Sequence, residues 1–158
     1  MRYVADKWEN EGTPHLHGAT LKDRAQVEQW LEVQGQNFQP AILALVVNIL
    51  WNPALFGKPT DENVVKEMSR KLAQVLDVYE AQLSKHKYLA GDSVSIADLS
   101  HLPLGYCYFN LANQQELLSS RPHVASWWAD ISGRPSWKKV LEHAAPHHDK
   151  WLSAISSA

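Results

Sequence analysis

Tyr88-Leu89-Ala90-Gly91-Asp92-Ser93-Val94-Ser95-Ile96-Ala97-Asp98-Leu99 reads as a sharp turn at Gly91-Asp92 that launches a helix. Ser95 falls at the N-cap, where its hydroxyl can accept from the Asp98 N–H. Asp98, three residues on, can reach back to the Ser95 N–H. The two bonds satisfy donors that a helix start otherwise leaves orphaned. Val94 and Leu99 flank the pair and can close over it as a hydrophobic staple. The Asp98 charge also suits the positive end of the helix dipole. Local signals this consistent are expected where a buried helix must begin at one place only.

Downstream, Leu99, Leu102, Pro103, Tyr106 and Phe109 continue this central helix to about Asn110. His101 on it reads as hydrogen-bonded structure. Cys107 has no cation nearby in sequence to favour its thiolate, so it is not read as a nucleophile. Gln114 to Ser120 forms a short helix or loop. Arg121-Pro122 then opens a helix with Val124, Trp127, Trp128 and Ile131 on one side and Gly133 at its end. Pro135 starts a last short helix through Leu141, followed by a solvated tail.

Upstream, a long helix runs from Leu21 past Trp30, Leu31 and Phe38. Pro40 should interrupt and bend it, and the apolar stretch from Ala41 to Trp51 should end at Asn52-Pro53. That stretch is core on periodicity alone, with a second reading in which one side lines a ligand cleft. Leu55 to Pro59 reads as a loop and Thr60 as the cap of the next helix. There Val64, Met68, Leu72, Leu76, Tyr79 and Leu83 recur at helical spacing, with Glu62–Lys66 and Glu67–Lys71 as outer pairs. No strand-like alternation appears anywhere. The expected fold class is all-α: a helical bundle around the central capped helix.

Composition bounds the function. One domain of 158 residues, 45% hydrophobic and 20% charged, holds a core without staples. A net charge of −2 gives no case for nucleic acid or an anionic membrane. No apolar run reaches membrane-span length and no signal-peptide pattern opens the chain. The single Cys107 fits a reducing, cytoplasmic location. Seven tryptophans suggest a base-stacking platform, but no basic groove accompanies them. His143, His147, His148 and Asp149 suggest a metal cluster, but adjacent helix residues diverge and no second element adds ligands. The expected metal is none.

Tyr88 to Asp92 with Ser95 to Leu99 resembles the signature at the start of the core helix in the C-terminal domain of cytosolic glutathione transferases. Arg24 to Leu31, Leu72 to Ala81 and Arg121 to Val124 extend the resemblance over nearly the whole chain. With Trp127-Trp128 and Arg134-Pro135, it is similar to the plant phi class. The resemblance implies a remnant of the last helix of a thioredoxin-like domain at 1–8, a linker at 9–20, the all-α domain at 21–145 and a tail at 146–158. It implies an electrophile pocket lined by Leu43, Val47, Trp51 and Leu55, with Tyr106 or Cys107 from the central helix. The glutathione site and catalytic serine of the family would lie before Met1. No residue present matches them, so the catalytic set in this chain is none and the chain alone is expected to be inactive. No cofactor is implied, glutathione being the co-substrate of the full-length family.

Two functions follow. In one, the chain is the hydrophobic-substrate half of an enzyme conjugating glutathione to apolar electrophiles in detoxification and stress response. In the other, it is a shortened, non-catalytic relative that binds apolar ligands or a partner subunit. Small hydrophobic electrophiles are the expected partners, and a homodimer is an arrangement the resemblance leaves open.

Overall fold

In the computed structural model the backbone is described for residues 1–156 and the side chains for residues 1–145. Among the described residues every regular element is helical, and the one β-bridge pairs Tyr88 with Gly91. The all-α expectation holds.

After a short helix α1 (Arg2–Lys7), the segments α2 (Leu21–Val33), α3 (Gln39–Val46) and α4 (Asn52–Phe56) join into one rod, Leu21–Phe56. Neither proline divides it. The turns Gln34–Phe38 and Val47–Trp51 are π-helical, and each ends just ahead of a proline. Proline lacks an N–H, and its ring crowds the carbonyl four residues back. Here the residues beside the prolines, Gln39 and Asn52, donate five residues back, to Gln34 O and Val47 O. Widening each turn by one residue accommodates the ring without breaking the rod. Asn52-Pro53 is therefore not an end, and Leu55 lies in a helix rather than a loop. Gly57, left-handed at φ 58°, ends the rod. The expectation that no apolar run reaches membrane-span length also fails. The fused rod is long and apolar enough by length and composition, with 33% of that window buried inside the fold.

The start of α2 carries a second capping box, unnoticed in sequence. Thr20 Oγ1 accepts from Asp23 N–H at 3.2 Å, and Asp23 Oδ2 accepts from Thr20 N–H at 3.0 Å. Gly18 beside it has φ +98°, and a Cβ there would stand 2.5 Å from Arg24 N. Helix α5 (Glu62–Leu83) is capped by Asp61 rather than Thr60. Asp61 Oδ1 accepts from Asn63 and Val64 N–H, while the Thr60 hydroxyl donates to Asn48 O at 3.1 Å. Of the two outer pairs expected on α5, Glu67–Lys71 forms at 2.8 Å.

The central helix is not one rod. It is α6 (Ile96–Leu99), a turn at Ser100-His101, α7 (Leu102–Gly105) and a π-helical stretch, Tyr106–Leu111. Pro103 again explains the interruption, since Leu99 O has no proline N–H to accept. Helices α8 (Glu116–Ser119) and α9 (Pro122–Ser132) follow as expected. Helix α10 (Pro135–Ser156) does not stop at Leu141, since Glu142, His143, Ala144 and Ala145 follow with no glycine to end it. It runs on through the segment expected to be a tail. Of the histidine set there, His143 pairs its Nδ1 with Lys139 O at 2.8 Å. His147, His148 and Asp149 lie outside the residues with described side chains.

The core sits between α3, α5, α7 and α9, with Ile42, Leu45, Leu72, Leu76, Val124 and Ile131 fully enclosed. Gly105 lets α9 approach α7, since a Cβ there would stand 2.5 Å from the Trp128 ring. His101 is fully buried in an aromatic box of Phe38, Tyr79 and Trp127, with ring centroids 4.5, 5.4 and 5.2 Å away. Its Nδ1 faces Ala97 O at 2.8 Å and its Nε2 faces the Tyr79 hydroxyl at 2.9 Å. A carbonyl only accepts, so Nδ1 carries the proton and Tyr79 donates to Nε2. Burial holds the His101 pKa down at about 4, so the ring is neutral. The structural reading of His101 is the one observed.

Candidate functional site

Everything on the central helix is aimed by Asp98. Both halves of the Ser95–Asp98 capping box are formed. The fully buried carboxylate takes four hydrogen bonds. Oδ1 accepts from Leu89 N–H at 3.0 Å and Trp127 Nε1–H at 2.9 Å, and Oδ2 accepts from Ser95 N–H at 2.9 Å and the Ser95 hydroxyl at 2.8 Å. Burial pushes the Asp98 pKa up, and the four donors oppose that. One side chain thereby ties together the turn at Gly91, the start of α6 and helix α9. The linker is fastened to the same point, with Ile96 N–H donating to Leu16 O at 2.8 Å.

From this anchor α7 and the Tyr106–Leu111 stretch run along α3. Leu43 and Val47 on the rod, and Tyr106 and Cys107 across from it, therefore sit on elements in contact. All four are half-buried, as is Trp51, and Leu55 is 48% exposed. Trp51 and Cys107 pack against the edge of the main core. Leu43, Val47 and Trp51 are thus neither enclosed core nor open surface. Burial pushes the Cys107 thiol up, so it is not a thiolate near neutral pH. Sequence reasoning missed Trp137, whose ring meets Tyr106 edge-on at 6.0 Å. The Arg134-Pro135 signal marked the start of its helix but not where that helix packs.

None of these six residues lines either of two open grooves on the described surface. One groove, of about 630 Å³, lies between the rod and α5 and is lined by Val33, Pro40, Ala41, Met68, Val75 and Val78 among others. The other, of about 560 Å³, lies between α1, the linker and α6, lined by Val4, Trp8, Leu16, Ile96 and Leu99. Beside it Tyr3, Val4 and Trp8 are exposed, although α1 has no buried residue of its own. What holds α1 is a polar network, together with Ala5, which packs against the cluster of Val27, Ile96 and Ala97. Arg2 pairs with Glu28, Arg24 with Asp6, and His17 bridges Asp6 at 3.1 Å and Glu28 at 2.7 Å. Among the described residues no group of three His, Cys, Asp or Glu is placed to hold a metal ion.

A capped helix starting under a buried aspartate, packed on a long proline-bearing rod with a half-buried apolar wall, defines a glutathione transferase C-terminal helical domain. The chain belongs to that family, residues 38–135 matching the profile described as Glutathione S-transferase, C-terminal domain. It is 51% identical over 140 residues to Glutathione S-transferase F10 of Arabidopsis thaliana, an alignment covering 89% of this chain and 64% of that protein. It thus spans a little under two thirds of the length of such a relative. Glutathione transferase F2 of Populus trichocarpa superimposes with a TM-score of 0.87 at 41% identity, covering 92% of this chain and 67% of that one. Glutathione S-transferase I from mais, solved with an atrazine glutathione conjugate, superimposes with a TM-score of 0.82 at 36% identity, covering 92% and 68%.

Proposed function

We propose that this chain is the electrophile-holding half of a phi-class glutathione transferase, acting in the cytoplasm on apolar electrophiles as part of detoxification. What supports the reading is that half-buried Leu43, Val47 and Trp51 lie on a rod packed against the elements carrying Tyr106 and Cys107, where with Leu55 they would form an apolar wall. Such a wall works by desolvating an electrophile and holding it beside an attacking thiolate. It contributes no thiol activation itself, since Cys107 is protonated and no other residue of the wall offers a charge. Thiol activation belongs to a glutathione-binding half, which the exposed Tyr3, Val4 and Trp8 face is suited to seat. The groove between the rod and α5, flanked by exposed Val78, is the surface suited to a second copy in a homodimer.

The test is an assay of the purified 158-residue chain with glutathione and a chlorodinitrobenzene-type electrophile, alone and fused to the remaining third of a relative such as F10. The isolated chain should show no turnover above background and the fusion should conjugate. Robust glutathione-saturable turnover by the isolated chain would overturn the reading. The open groove at α1 favours a second reading, a non-catalytic binder of apolar ligands. That reading is supported if the isolated chain binds a hydrophobic dye tightly and the fusion stays inactive.

A further inference from the structure

Val47 and Trp51 are the two ends of the second π-helical turn, and that turn has a gap in its backbone pairing. In the widened register an N–H serves the carbonyl five residues back, as Asn52 does for Val47 O. The next donor in that register would be the N–H of residue 53, aimed at Asn48 O. Residue 53 is proline and has none. A carbonyl left unpaired away from water costs stability, and Asn48 is half-buried.

The chain closes the gap with a side chain. The Thr60 hydroxyl donates to Asn48 O at 3.1 Å. Thr60 is brought there by the end of the rod, where Gly57 turns the chain left-handed and Lys58 N–H donates back to Asn52 O at 3.0 Å. It is held there by α5, which starts at the next residue under the Asp61 cap and packs on the same turn. The first widened turn offers a comparison. Ahead of Pro40 the equivalent carbonyl is that of Gly35, an exposed residue, so water can serve it. Only the half-buried turn is given a donor of its own.

We propose that Thr60 is a positioning residue for the wall: its hydroxyl stands in for the N–H that Pro53 lacks and fixes the turn that carries Val47 and Trp51. A pocket wall holds a ligand in place only as firmly as its own side chains are held. The consequence for binding rests on the electrophile-pocket reading given above, whereas the hold on the turn rests on the Thr60–Asn48 bond alone.

The test uses three variants of the 158-residue chain. Thr60→Val keeps the side-chain volume and removes the hydroxyl, and Thr60→Ser keeps the hydroxyl. Thr60→Val combined with Pro53→Ala returns a backbone N–H to residue 53. One readout is the Val47 and Trp51 amide resonances and the Trp51 indole resonance in labelled protein. The other is the affinity for phenylnaphthylamine, an apolar dye whose place at the wall is checked by weaker binding in Trp51→Ala. Thr60→Val should move the resonances and weaken the dye about fivefold, while Thr60→Ser should stay within about twofold of the parent. Adding Pro53→Ala should bring the affinity back to within about twofold of the parent, a recovery that a residue merely stabilising the loop would not allow. Unmoved resonances in folded Thr60→Val, or no recovery on adding Pro53→Ala, would overturn the proposal. If Thr60→Val alone does not fold, a folded double variant with parent-like resonances supports the proposal and an unfolded one overturns it. Moved resonances with unchanged dye affinity would overturn the role in binding and leave the pocket reading intact. A dye that the parent does not bind, or that Trp51→Ala binds as tightly, would overturn the pocket reading, with the resonances still deciding whether Thr60 holds the turn.

Discussion

His101 should make this domain acid-sensitive, and the size of the effect can be worked out. The ring is neutral in its aromatic box because burial holds its pKa at about 4, against an ordinary value of 6.5. As pH falls, the unfolded chain therefore takes up the proton first. The stabilising contribution is fully present above about pH 6.5 and is lost progressively towards pH 4. At about 1.36 kcal/mol per pH unit, the loss is roughly 1.4 kcal/mol by pH 5.5 and about 2.5 kcal/mol by pH 4.5. That is a large share of the ~5–15 kcal/mol typical of a whole domain.

His101→Gln removes the titration and keeps a side chain that can both donate and accept. It should cost about 1–3 kcal/mol at neutral pH, through poorer pairing of Ala97 O and the Tyr79 hydroxyl. Urea unfolding of parent and variant across the acid range isolates the term, because the other histidines are common to both. The two curves should converge as pH falls. If parent and variant lose stability in parallel, His101 is not buried and neutral as described, and the reasoning is refuted.

Asp98→Ala strands four donors at once, those of Leu89, Trp127 and the two from Ser95. It should cost about 3–5 kcal/mol, well beyond the ~1 kcal/mol of an ordinary cap; an unchanged urea midpoint would show that the network is not formed. Gly105→Ala drives a methyl into the Trp128 ring and should cost about 1–3 kcal/mol, visible as a lowered melting temperature and altered tryptophan emission. Glu28, held at a pKa of about 2 chiefly by its hydrogen bond to Arg2, helps fix α1 above about pH 4.5 and releases it as pH falls towards 2. Glu28→Gln at neutral pH should reproduce that release as lost amide protection in residues 3–8, with little change in global stability.

What was legible in the sequence was local. Ser95 and Asp98 lie three residues apart, so their box could be read directly, as could the periodic faces of α5 and α9. The two further bonds to Asp98 could not, because Trp127 reaches it only after α9 has packed. Pro40 and Pro53 were read by the rule that proline bends or ends a helix, and the chain instead widened the preceding turn. That response leaves no compositional trace. Thr60 was read as the cap of α5, but its hydroxyl goes to Asn48 O and Asp61 caps the helix instead. The wall residues on the rod were visible as a four-residue repeat. Trp137 was not, since its neighbour Tyr106 belongs to another helix.

The paired π turns have a consequence for how such a rod can change over generations. Each amounts to a single residue inserted into a regular helix, tolerated because the proline just beyond it had no hydrogen bond to lose. Deleting one codon within Val47–Trp51 would return that turn to ordinary pitch, with Asn52 donating four residues back instead of five and keeping its place on the rod. Leu55 and Phe56 would then keep the side they now occupy, as would Leu43. A lineage using this rod as a pocket wall can thus gain or lose one residue at either turn without re-aiming the wall. The composition of the helix, and the core on its other side up to Val46, would be left as they are.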